Sequence, residues 1–399
     1  MSKKLVLVIL IVSLVMANHR YEDTPSQSLN DPETSANQVY KVDNVNTSLR
    51  YETIQEAINA PETLDGHDLI LDLDVFYEHV TVNKSVDLYG CVYIGYPDVM
   101  TTVNGNGSGT VISVEADNVT IHSIKIINGT TGIIVEESDN TVLWWLRIYD
   151  NAESGIYLHN SRNCTVRSSK ITNNKMLGIY LEYSSNNTIS GNTLAETNDG
   201  IGFGLFSSNN TITGNRITNN VNGVIFNQSA YNDLTANYIS DNDDAGVGFD
   251  HSFNNSISAN NITENGYGIK LFTYSEDNRF YHNNFIGNAQ QVYIYEFSEP
   301  PIANSWDDSS KGNYWSDYKE RYTDAEEIDN SGIWDTPYVI DENNVDYYPI
   351  VPEFPSLLIL LPFMIVSVLV ITIRHKYRGK SILNRTHLST SRSIFGPLP

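Results

Sequence analysis

The chain has 399 residues, with 48 acidic and 24 basic side chains, so its formal net charge at pH 7 is −24. All the acidic residues lie between Glu22 and Glu353. Only 16 of the basic residues lie between the two terminal apolar stretches, so this central region carries about −32. Such a field repels a phosphate backbone, which excludes nucleic acid as a partner, and it favours solubility.

Residues 1–17 have the composition of a secretory signal peptide. Lys3 and Lys4 precede an apolar core at 5–16, which is too short to span a bilayer comfortably. Residues 18–38 are polar and contain Pro25 and Pro32, which is typical of a loosely held linker. We therefore expect a folded domain from residue 39 onwards, placed outside the cytoplasm.

A short helix is predicted near the start of the folded region, at 53–60. Ile54, Ala57 and Ile58 recur at i, i+3 and i+4, and Pro61 ends the pattern. The terminal coil of a repeat structure needs a cap. We expect this helix to cover one end of the core.

From about residue 140 to 298 the chain repeats itself every 22 to 24 positions. Three apolar columns result, and a glycine precedes most members of the third. The first column is Val142, Val166, Ile189, Ile212, Leu234, Ile257 and Phe280, and the second is Ile148, Ile171, Leu194, Ile217, Ile239, Ile262 and Phe285. The third consists of pairs such as Ile179 with Leu181, and an upstream copy contains Val119, Ile126, Gly132, Ile133 and Val135.

The spacing inside each repeat predicts strands. Apolar residues two apart, such as Ile179 and Leu181, are typical of a strand, and no run has helical spacing. A coil of three short strands buries its apolar face only when coils stack, with equivalent residues about 4.8 Å apart. We therefore predict an all-β fold, a right-handed parallel β-helix of about ten coils.

Two other repeat folds fit the pattern less well. A leucine-rich horseshoe has a similar period, but its Leu-x-x-Leu-x-Leu pattern and helical segment are absent, and a propeller blade needs about 40 residues. The repeated asparagines, Asn192, Asn215, Asn237, Asn260 and Asn283, are interpreted as a hydrogen-bonded ladder inside the solenoid.

The two cysteines are predicted to be free and largely buried. Cys91 and Cys164 lie 73 residues apart, which is roughly three coils, or about 15 Å along the axis. A disulfide needs Cα atoms within about 7 Å. Neither cysteine has zinc-like spacing.

Beyond residue 298 the repeat stops. Residues 299–351 contain Trp306, Trp315, Trp334 and many tyrosines, and we expect them to plug the second end of the stack. Residues 356–373 are apolar and reach the short limit for a transmembrane helix. The basic cluster that follows predicts a cytoplasmic tail at 374–399.

Several segments resemble a known family. The runs Asn-Tyr-Trp-Ser-Asp-Tyr at 313–318, Asp-Thr-Pro-Tyr-Val-Ile-Asp at 335–341 and Asp-Tyr-Tyr-Pro at 346–349 resemble the end of NosD-like β-helix proteins. The runs at 53–58, 82–85 and 116–120 resemble their beginning, so the resemblance covers about residues 39–351. It implies a fold shared with pectate lyases, in a group that includes carbohydrate-binding and sugar-hydrolase proteins and many archaeal cell-surface proteins.

Founding members of that family help to mature the copper site of nitrous oxide reductase, but the residues here do not predict copper. The histidines fall in different columns or distant coils, and no cluster of Cys, Met and His is apparent. They include His79, His122, His159, His251 and His282.

A candidate carbohydrate site follows from the third strand of two neighbouring repeats. If Ile156 and Leu158 point inward, Tyr157 and His159 point outward, and Tyr180 and Glu182 take the same places one coil later. One coil earlier the equivalent residue is Glu136. We expect these side chains to stack about 4.8 Å apart. Carboxylates beside aromatic rings suit sugar binding, and a histidine between carboxylates suits acid–base chemistry.

Two weaker constellations are acidic. Asp199, Asp241, Asp243, Asp244 and Asp250 resemble the clustered acids of pectate-lyase-like enzymes, with Arg216 and Lys270 as basic partners outside that strand face or one coil away. The second is a candidate calcium loop, because oxygen ligands at alternate positions suit calcium. Its members are Asp324, Asp329, Ser331 and Asp335.

The sequence therefore favours a membrane-anchored extracellular β-helix protein that is a non-catalytic surface or carbohydrate-interacting module. A cell-surface or environmental polysaccharide is the partner that this interpretation suggests. One alternative is a calcium-dependent polysaccharide lyase or glycoside hydrolase, and another is a maturation factor for an external copper enzyme. An enzyme needs convergent acids in a cleft, whereas the sequence predicts a ladder.

Overall fold

A computed structural model of the chain describes residues 41–93, 96–295 and 302–351. The chain divides into two compact units, Met1–Val39 and Tyr40–Pro399, and all described residues belong to the second. The predicted signal peptide, linker, membrane helix and basic tail lie outside the described residues. Among the residues that are described, no helix has the length and apolarity needed to cross a membrane.

Three long sheets form the walls of the molecule. The first has twelve strands: Val42–Asn44, Leu49–Tyr51, Asp68–Leu71, Asp87–Gly90, Thr120–His122, Val142–Trp144, Thr165–Arg167, Thr188–Ser190, Thr211–Thr213, Asp233–Thr235, Ser256–Ser258 and Arg279–Tyr281. The second has eleven: Val75–Phe76, Thr102–Asn104, Lys125–Ile127, Arg147–Tyr149, Lys170–Thr172, Thr193–Ala195, Arg216–Thr218, Tyr238–Ser240, Asn261–Thr263, Asn284–Ile286 and Tyr314–Trp315.

The third sheet has the longest strands. Its ten members are Val80–Val82, Thr110–Val114, Thr131–Glu136, Ser154–His159, Leu177–Glu182, Asp199–Phe203, Asn222–Asn227, Ala245–Asp250, Tyr267–Leu271 and Gln290–Ile294. Two helices, Ile54–Asn59 and Tyr318–Arg321, and a small antiparallel pair, Tyr338–Val339 with Val345–Asp346, complete the described elements.

Successive coils pair in parallel and in register, which confirms the parallel β-helix. In the second sheet Ile148 pairs with Ile171, and in the third Ile179 pairs with Ile201. Because each strand is followed by strands of the other two sheets before its own sheet continues, the chain winds around one core in about ten turns. Only the first sheet begins with antiparallel strands, Val42–Asn44 and Leu49–Tyr51.

The predicted columns lie inside, with two corrections in the first column. Leu143, not Val142, pairs with Val166 and is almost fully buried, whereas Val142 pairs with Thr165 and is half-buried. In the coil before, Ile121 rather than Val119 occupies the equivalent place. Because residues 142 and 143 are both apolar, the sequence allows either one to point inward. The pairing with Ile121 and Val166 in the two neighbouring coils places Leu143 in the core.

The glycine column allows neighbouring coils to approach closely. A Cβ on Gly223 would lie 2.4 Å from the carbonyl oxygen of Gly246 and 2.7 Å from Cγ2 of Ile239. The nearest atom belongs to the backbone, and Ile239 and Asn242 supply the next two contacts, so the space for a side chain is closed. A larger residue therefore requires the coils to separate.

The asparagine ladder is confirmed. The side-chain amide of Asn237 donates to Oδ1 of Asn260 at 3.0 Å and to the carbonyl oxygen of Ile212 at 2.9 Å. Its own Oδ1 accepts the backbone N–H of Asn215 at 2.9 Å. Each member thus satisfies turn backbone groups that are buried away from water.

Both ends of the described solenoid are covered. At one end Ile54, Ala57 and Ile58 of the predicted helix are buried, and Thr53 caps the helix by accepting from the backbone N–H of Glu56. At the other end the ring of Trp306 stacks on Phe280 with centroids 4.3 Å apart, and Trp315 stacks on Phe285 at 4.4 Å.

Candidate functional site

The five residues predicted as a carbohydrate site lie together on the outer face of the third sheet. Glu136 pairs with His159, and His159 pairs with Glu182. Tyr157 pairs with Tyr180 in the adjacent outward position. The strand alternation buries the residues between them, including Ile156 and Leu158. We call Glu136, Tyr157, His159, Tyr180 and Glu182 the tyrosine–glutamate cluster.

Contacts within the cluster are direct. The hydroxyl of Tyr157 donates a 2.5 Å hydrogen bond to Oε2 of Glu182, and the rings of Tyr157 and Tyr180 lie 5.2 Å apart. Nδ1 of His159 lies 3.7 Å from Oε1 of Glu136. The side chain of His159 is 30% exposed and that of Glu136 is 49% exposed, so both polar groups are open to a ligand.

Partial burial and the neighbouring carboxylate keep both tyrosines protonated. Burial raises the pKa of the Tyr157 phenol well above its usual range, and the hydrogen bond to Glu182 raises that pKa further. Burial and the charge of Glu182 also raise the pKa of Tyr180. The Tyr157 hydrogen is already donated to Glu182, so the cluster presents the neutral hydroxyl of Tyr180 as a donor and the carboxylates as acceptors. This pairing fits sugar hydroxyl groups.

Two aromatic side chains that the strand periodicity does not predict extend the cluster. Tyr183 lies 6.0 Å from the ring of His159, and Phe206 lies 6.0 Å from Tyr183. Their exposed fractions are 42% and 67%, and their φ angles are +51° and +54°. Bulky residues rarely adopt this left-handed conformation. Both residues lie in turns, where the strand periodicity does not predict the direction of a side chain. Their aromatic character was the only feature of the sequence that could have indicated a role.

The cluster ends where glycines replace side chains. Gly202 pairs with Tyr180, and a Cβ on Gly204 would lie 2.2 Å from the Tyr180 hydroxyl oxygen. The Tyr180 ring therefore lies across the bare backbone of the next coil. The outer face therefore changes there from the aromatic rings of Tyr157 and Tyr180 to glycine backbone.

Further along the same face, a groove of about 350 Å³ surrounds Lys270. Nζ of Lys270 lies 2.8 Å from both carboxylate oxygens of Asp244. Asp250 lines the groove and its carboxylate contacts Nδ1 of His251 at 2.8 Å. The groove exists because Gly248 carries no side chain between Ile225 and Lys270.

The remaining acids of that predicted constellation do not join the groove lining. Asp199 lies two coils earlier, where its carboxylate accepts from Asn222 at 2.8 Å and burial raises its pKa. Asp241 follows a strand of the second sheet and accepts from Ser240. Arg216 also lies on the second sheet, over the ring of Tyr238.

Three of the four predicted calcium residues form hydrogen bonds with nearby residues of the same region. Oδ1 of Asp335 accepts from the backbone N–H of Glu326 and from Thr336, and Oγ of Ser331 accepts from the N–H of Ile333. Asp324 contacts Thr323. Calcium binding by Asp324, Asp329, Ser331 and Asp335 stays a prediction.

The described residues do not fit a copper centre. Across 41–93, 96–295 and 302–351, no group of three or more His, Cys, Asp or Glu side chains is placed to hold a metal ion. Both cysteines are free; Cys164 is buried and Cys91 is half-buried. Burial raises the pKa of the Cys164 thiol to about 11, so it is a poor thiolate ligand.

Comparison with a curated protein links the chain to a cell-surface relative. A cell surface glycoprotein of Methanothermus fervidus is 33% identical over 105 residues, which represent 24% of this chain and 15% of the relative. The chain thus matches only a small part of that longer protein.

Comparison with solved structures gives the same fold. The A-module of mannuronan C-5 epimerase AlgE4 from Azotobacter vinelandii aligns with a TM-score of 0.51 and 14% identity, over 65% of this chain and 82% of the module. This likeness is evidence for the fold alone.

A family model described as "Periplasmic copper-binding protein (NosD)" matches residues 80–205 and 176–320. Together the two matches cover more than half of the chain and most of the solenoid. The protein belongs to the NosD family.

Proposed function

We propose that this protein is displayed outside the cell and binds polysaccharide on the outer face of its third sheet without converting it. The observation that carries the proposal is the convergence of two tyrosines, one histidine and two carboxylates in the tyrosine–glutamate cluster. Tyr183 and Phe206 enlarge the exposed aromatic surface beside it. Aromatic rings cover the apolar faces of sugars, and carboxylates accept hydrogen bonds from sugar hydroxyl groups.

Two kinds of evidence support a location outside the cell: the descriptions of similar proteins and the composition of the terminal segments. The family description contains the word periplasmic, and the matched relative is a cell surface glycoprotein. We infer that residues 1–17 direct export and that residues 356–373 hold the protein in the membrane, with 374–399 in the cytoplasm. Protease treatment of intact cells tests this arrangement, because external protease should remove the solenoid and leave a tail peptide in the membrane.

The binding experiment uses the full chain and a glycan array. Changing Glu136 and Glu182 to Gln should weaken the strongest glycan signal at least tenfold, because two acceptors lose their charge. The matched control changes Glu196 and Glu264 to Gln, since both lie on turns after the second sheet and bear the same charge. Equal binding by both double variants, or no glycan signal for the unchanged protein, contradicts the proposal.

The groove at Lys270 supports a second candidate function, a polysaccharide lyase or glycoside hydrolase. A lysine, Asp244 and Asp250 share this concave site, and such groups can move protons when a substrate is bound. Product analysis after long incubation with the glycans found by the array distinguishes the two functions. New reducing or unsaturated ends that disappear in Asp244→Asn would replace the binding proposal with catalysis.

The family description also names copper, which is the third candidate. The described histidines and thiols do not form a cluster of soft or imidazole ligands. We therefore assign no copper-dependent step to these residues.

A further inference from the structure

A row of basic side chains lies on the outer face of the second sheet. Lys125, Arg147 and Lys170 occupy the same register position in three consecutive coils. After Thr193, Arg216 continues the row. This face is separate from the tyrosine–glutamate cluster, which belongs to the third sheet. We call Lys125, Arg147 and Lys170 the basic ladder.

The basic ladder is only partly neutralised. Asp98 is the partner of Arg147, at 2.8 Å, and the Asp98 side chain is 81% exposed. Nζ of Lys125 donates to the backbone carbonyl of Asp98 at 3.0 Å, which removes no charge. Within the part of the chain that the structure describes, Lys170 forms no ion pair. The ladder therefore keeps a surplus of about two positive charges at neutral pH.

A row of cations is unexpected in this chain for two reasons, the acidic composition and the repulsion between neighbouring like charges. Acidic residues outnumber basic residues by 48 to 24 in the whole chain. Like charges on directly paired strand positions repel each other. Other coils put threonine, tyrosine or asparagine at this position, as at Thr193, Tyr238 and Asn261. The fold itself does not require cations here.

The ladder lines a concave surface. A groove of about 210 Å³ is bounded by the three cations, by Asp98, and by Tyr149 and Thr172. Tyr149 and Thr172 pair with each other at the neighbouring outward position. The groove thus combines cations with a ring and a hydroxyl group, which together can contact a charged sugar.

We propose that the basic ladder binds an acidic polysaccharide, a polymer that carries carboxylate groups on successive sugars. One cation per coil gives a spacing of about 4.8 Å along the axis, which suits a row of charges rather than a single ion. Ammonium and guanidinium groups form short charge-assisted hydrogen bonds with carboxylates. This site is additional to the proposed glycan site, and it allows one molecule to hold two different polymers on two faces.

The test measures binding of the full chain to polygalacturonate, with uncharged dextran as the neutral polymer. Lys125→Gln with Lys170→Gln should weaken polygalacturonate binding at least tenfold, and higher salt should weaken binding by the unchanged protein. Arg147 is retained because it pairs with Asp98. The control double variant, Arg162→Gln with Lys311→Gln, removes the same charge elsewhere and should change the affinity less than twofold.

Folding is monitored by thermal melting, and the ladder variant should melt no earlier than the unchanged protein, because it loses like-charge repulsion. Three outcomes overturn the proposal: no polygalacturonate binding at low salt, equal losses in both double variants, or displacement by inorganic phosphate at concentrations matched to the polymer's carboxylates. A different result would also overturn the proposal: the unchanged protein self-associates, only the ladder variant loses this self-association, and polygalacturonate binding is unchanged. This face would then be an interface with a second copy of the chain.

The two sites can be tested independently. The glycan array reads the Glu136→Gln and Glu182→Gln variant on the third sheet, whereas the polygalacturonate titration reads the Lys125→Gln and Lys170→Gln variant on the second sheet. Failure of the glycan-array experiment therefore does not decide the outcome at the basic ladder.

Discussion

The hydroxyl of Tyr157 donates a 2.5 Å hydrogen bond to Oε2 of Glu182, which lies on the next coil of the third sheet. The bond joins two coils through their outer side chains. It also orients the Glu182 carboxylate of the candidate glycan site. A change at either residue should therefore affect both the stability of the solenoid and the proposed binding.

We predict that Tyr157→Phe lowers the free energy of unfolding by about 1 kcal/mol, the central net value for an intramolecular hydrogen bond. The charged acceptor strengthens this bond, but its partial exposure to water offsets the gain. A double-mutant cycle with Glu182→Gln measures the coupling between the two side chains by urea unfolding. Because Gln can still accept the bond, the cycle should also include Glu182→Ala. Additive losses in both cycles would contradict a direct interaction.

Gly223→Ala should destabilise the solenoid by about 3 kcal/mol, the upper part of the range for overpacking a core. The added Cβ meets the carbonyl oxygen of Gly246 at 2.4 Å, and that backbone is held by its own coil. Gly248→Ala is the matched control, since the one close contact of its Cβ is the flexible end of Ile225 at 2.6 Å, and Ala245 lies at an ordinary 3.8 Å. Equal urea midpoints for the two variants would contradict this account of the glycine column.

Asn237→Ala should cost about 3 kcal/mol, because several buried backbone groups lose their partners at once. The side chain accepts from Asn215 and donates to Asn260 and Ile212, and it is 1% exposed. Ser190→Ala, on the outer face of the first sheet, should change stability by less than about 0.5 kcal/mol. Urea unfolding of the two variants checks the ladder, and a small loss for Asn237→Ala would show that water replaces the amide.

The pH dependence of stability should reveal Asp346. Its side chain is fully buried, where Oδ2 accepts from the N–H of Asn313 at 2.7 Å and from Nε1 of Trp315 at 2.9 Å. Burial raises the pKa of Asp346 to about 7, although these donors oppose the shift. Between about pH 4 and pH 7 the folded state therefore binds more protons than the unfolded state.

It follows that the contribution of Asp346 to stability is largest at low pH and is lost as the pH rises through about 7. The difference in unfolding free energy between the unchanged protein and Asp346→Asn should shrink on the order of 3 kcal/mol from pH 4 to pH 8. Urea unfolding followed by tryptophan fluorescence measures both curves. Parallel curves would show that the donors keep this carboxylate ionised throughout.

The repeat length and the apolar columns were enough to predict the fold. Pairing equivalent positions of successive coils buries Ile179, Ile201 and Val224 together, and these residues are fully buried. The error at Val142 has a local cause. Two adjacent apolar residues satisfy the same column, and only Ile121 and Val166 in the neighbouring coils favour Leu143.

The candidate glycan site was predictable only in part. Strand alternation is a local property, so Glu136, His159 and Glu182 could be aligned by counting from the buried pairs. Tyr183 and Phe206 lie in turns with positive φ, and no periodic pattern predicts where a turn directs its side chain. The groove at Lys270 was also missed, because it depends on the absence of a side chain at Gly248.

The sequence by itself determined the solenoid, its coil length, its inward columns and its asparagine ladder, because each follows from burying the same residue types at the same position in every turn. Only the tertiary structure decided which outer side chains meet. Surface contacts such as Tyr157 with Glu182, or Arg147 with Asp98, depend on side-chain rotamers and turn conformations. Rotamers and turn conformations depend on neighbouring residues that differ from coil to coil, so no periodic pattern in the sequence predicts them.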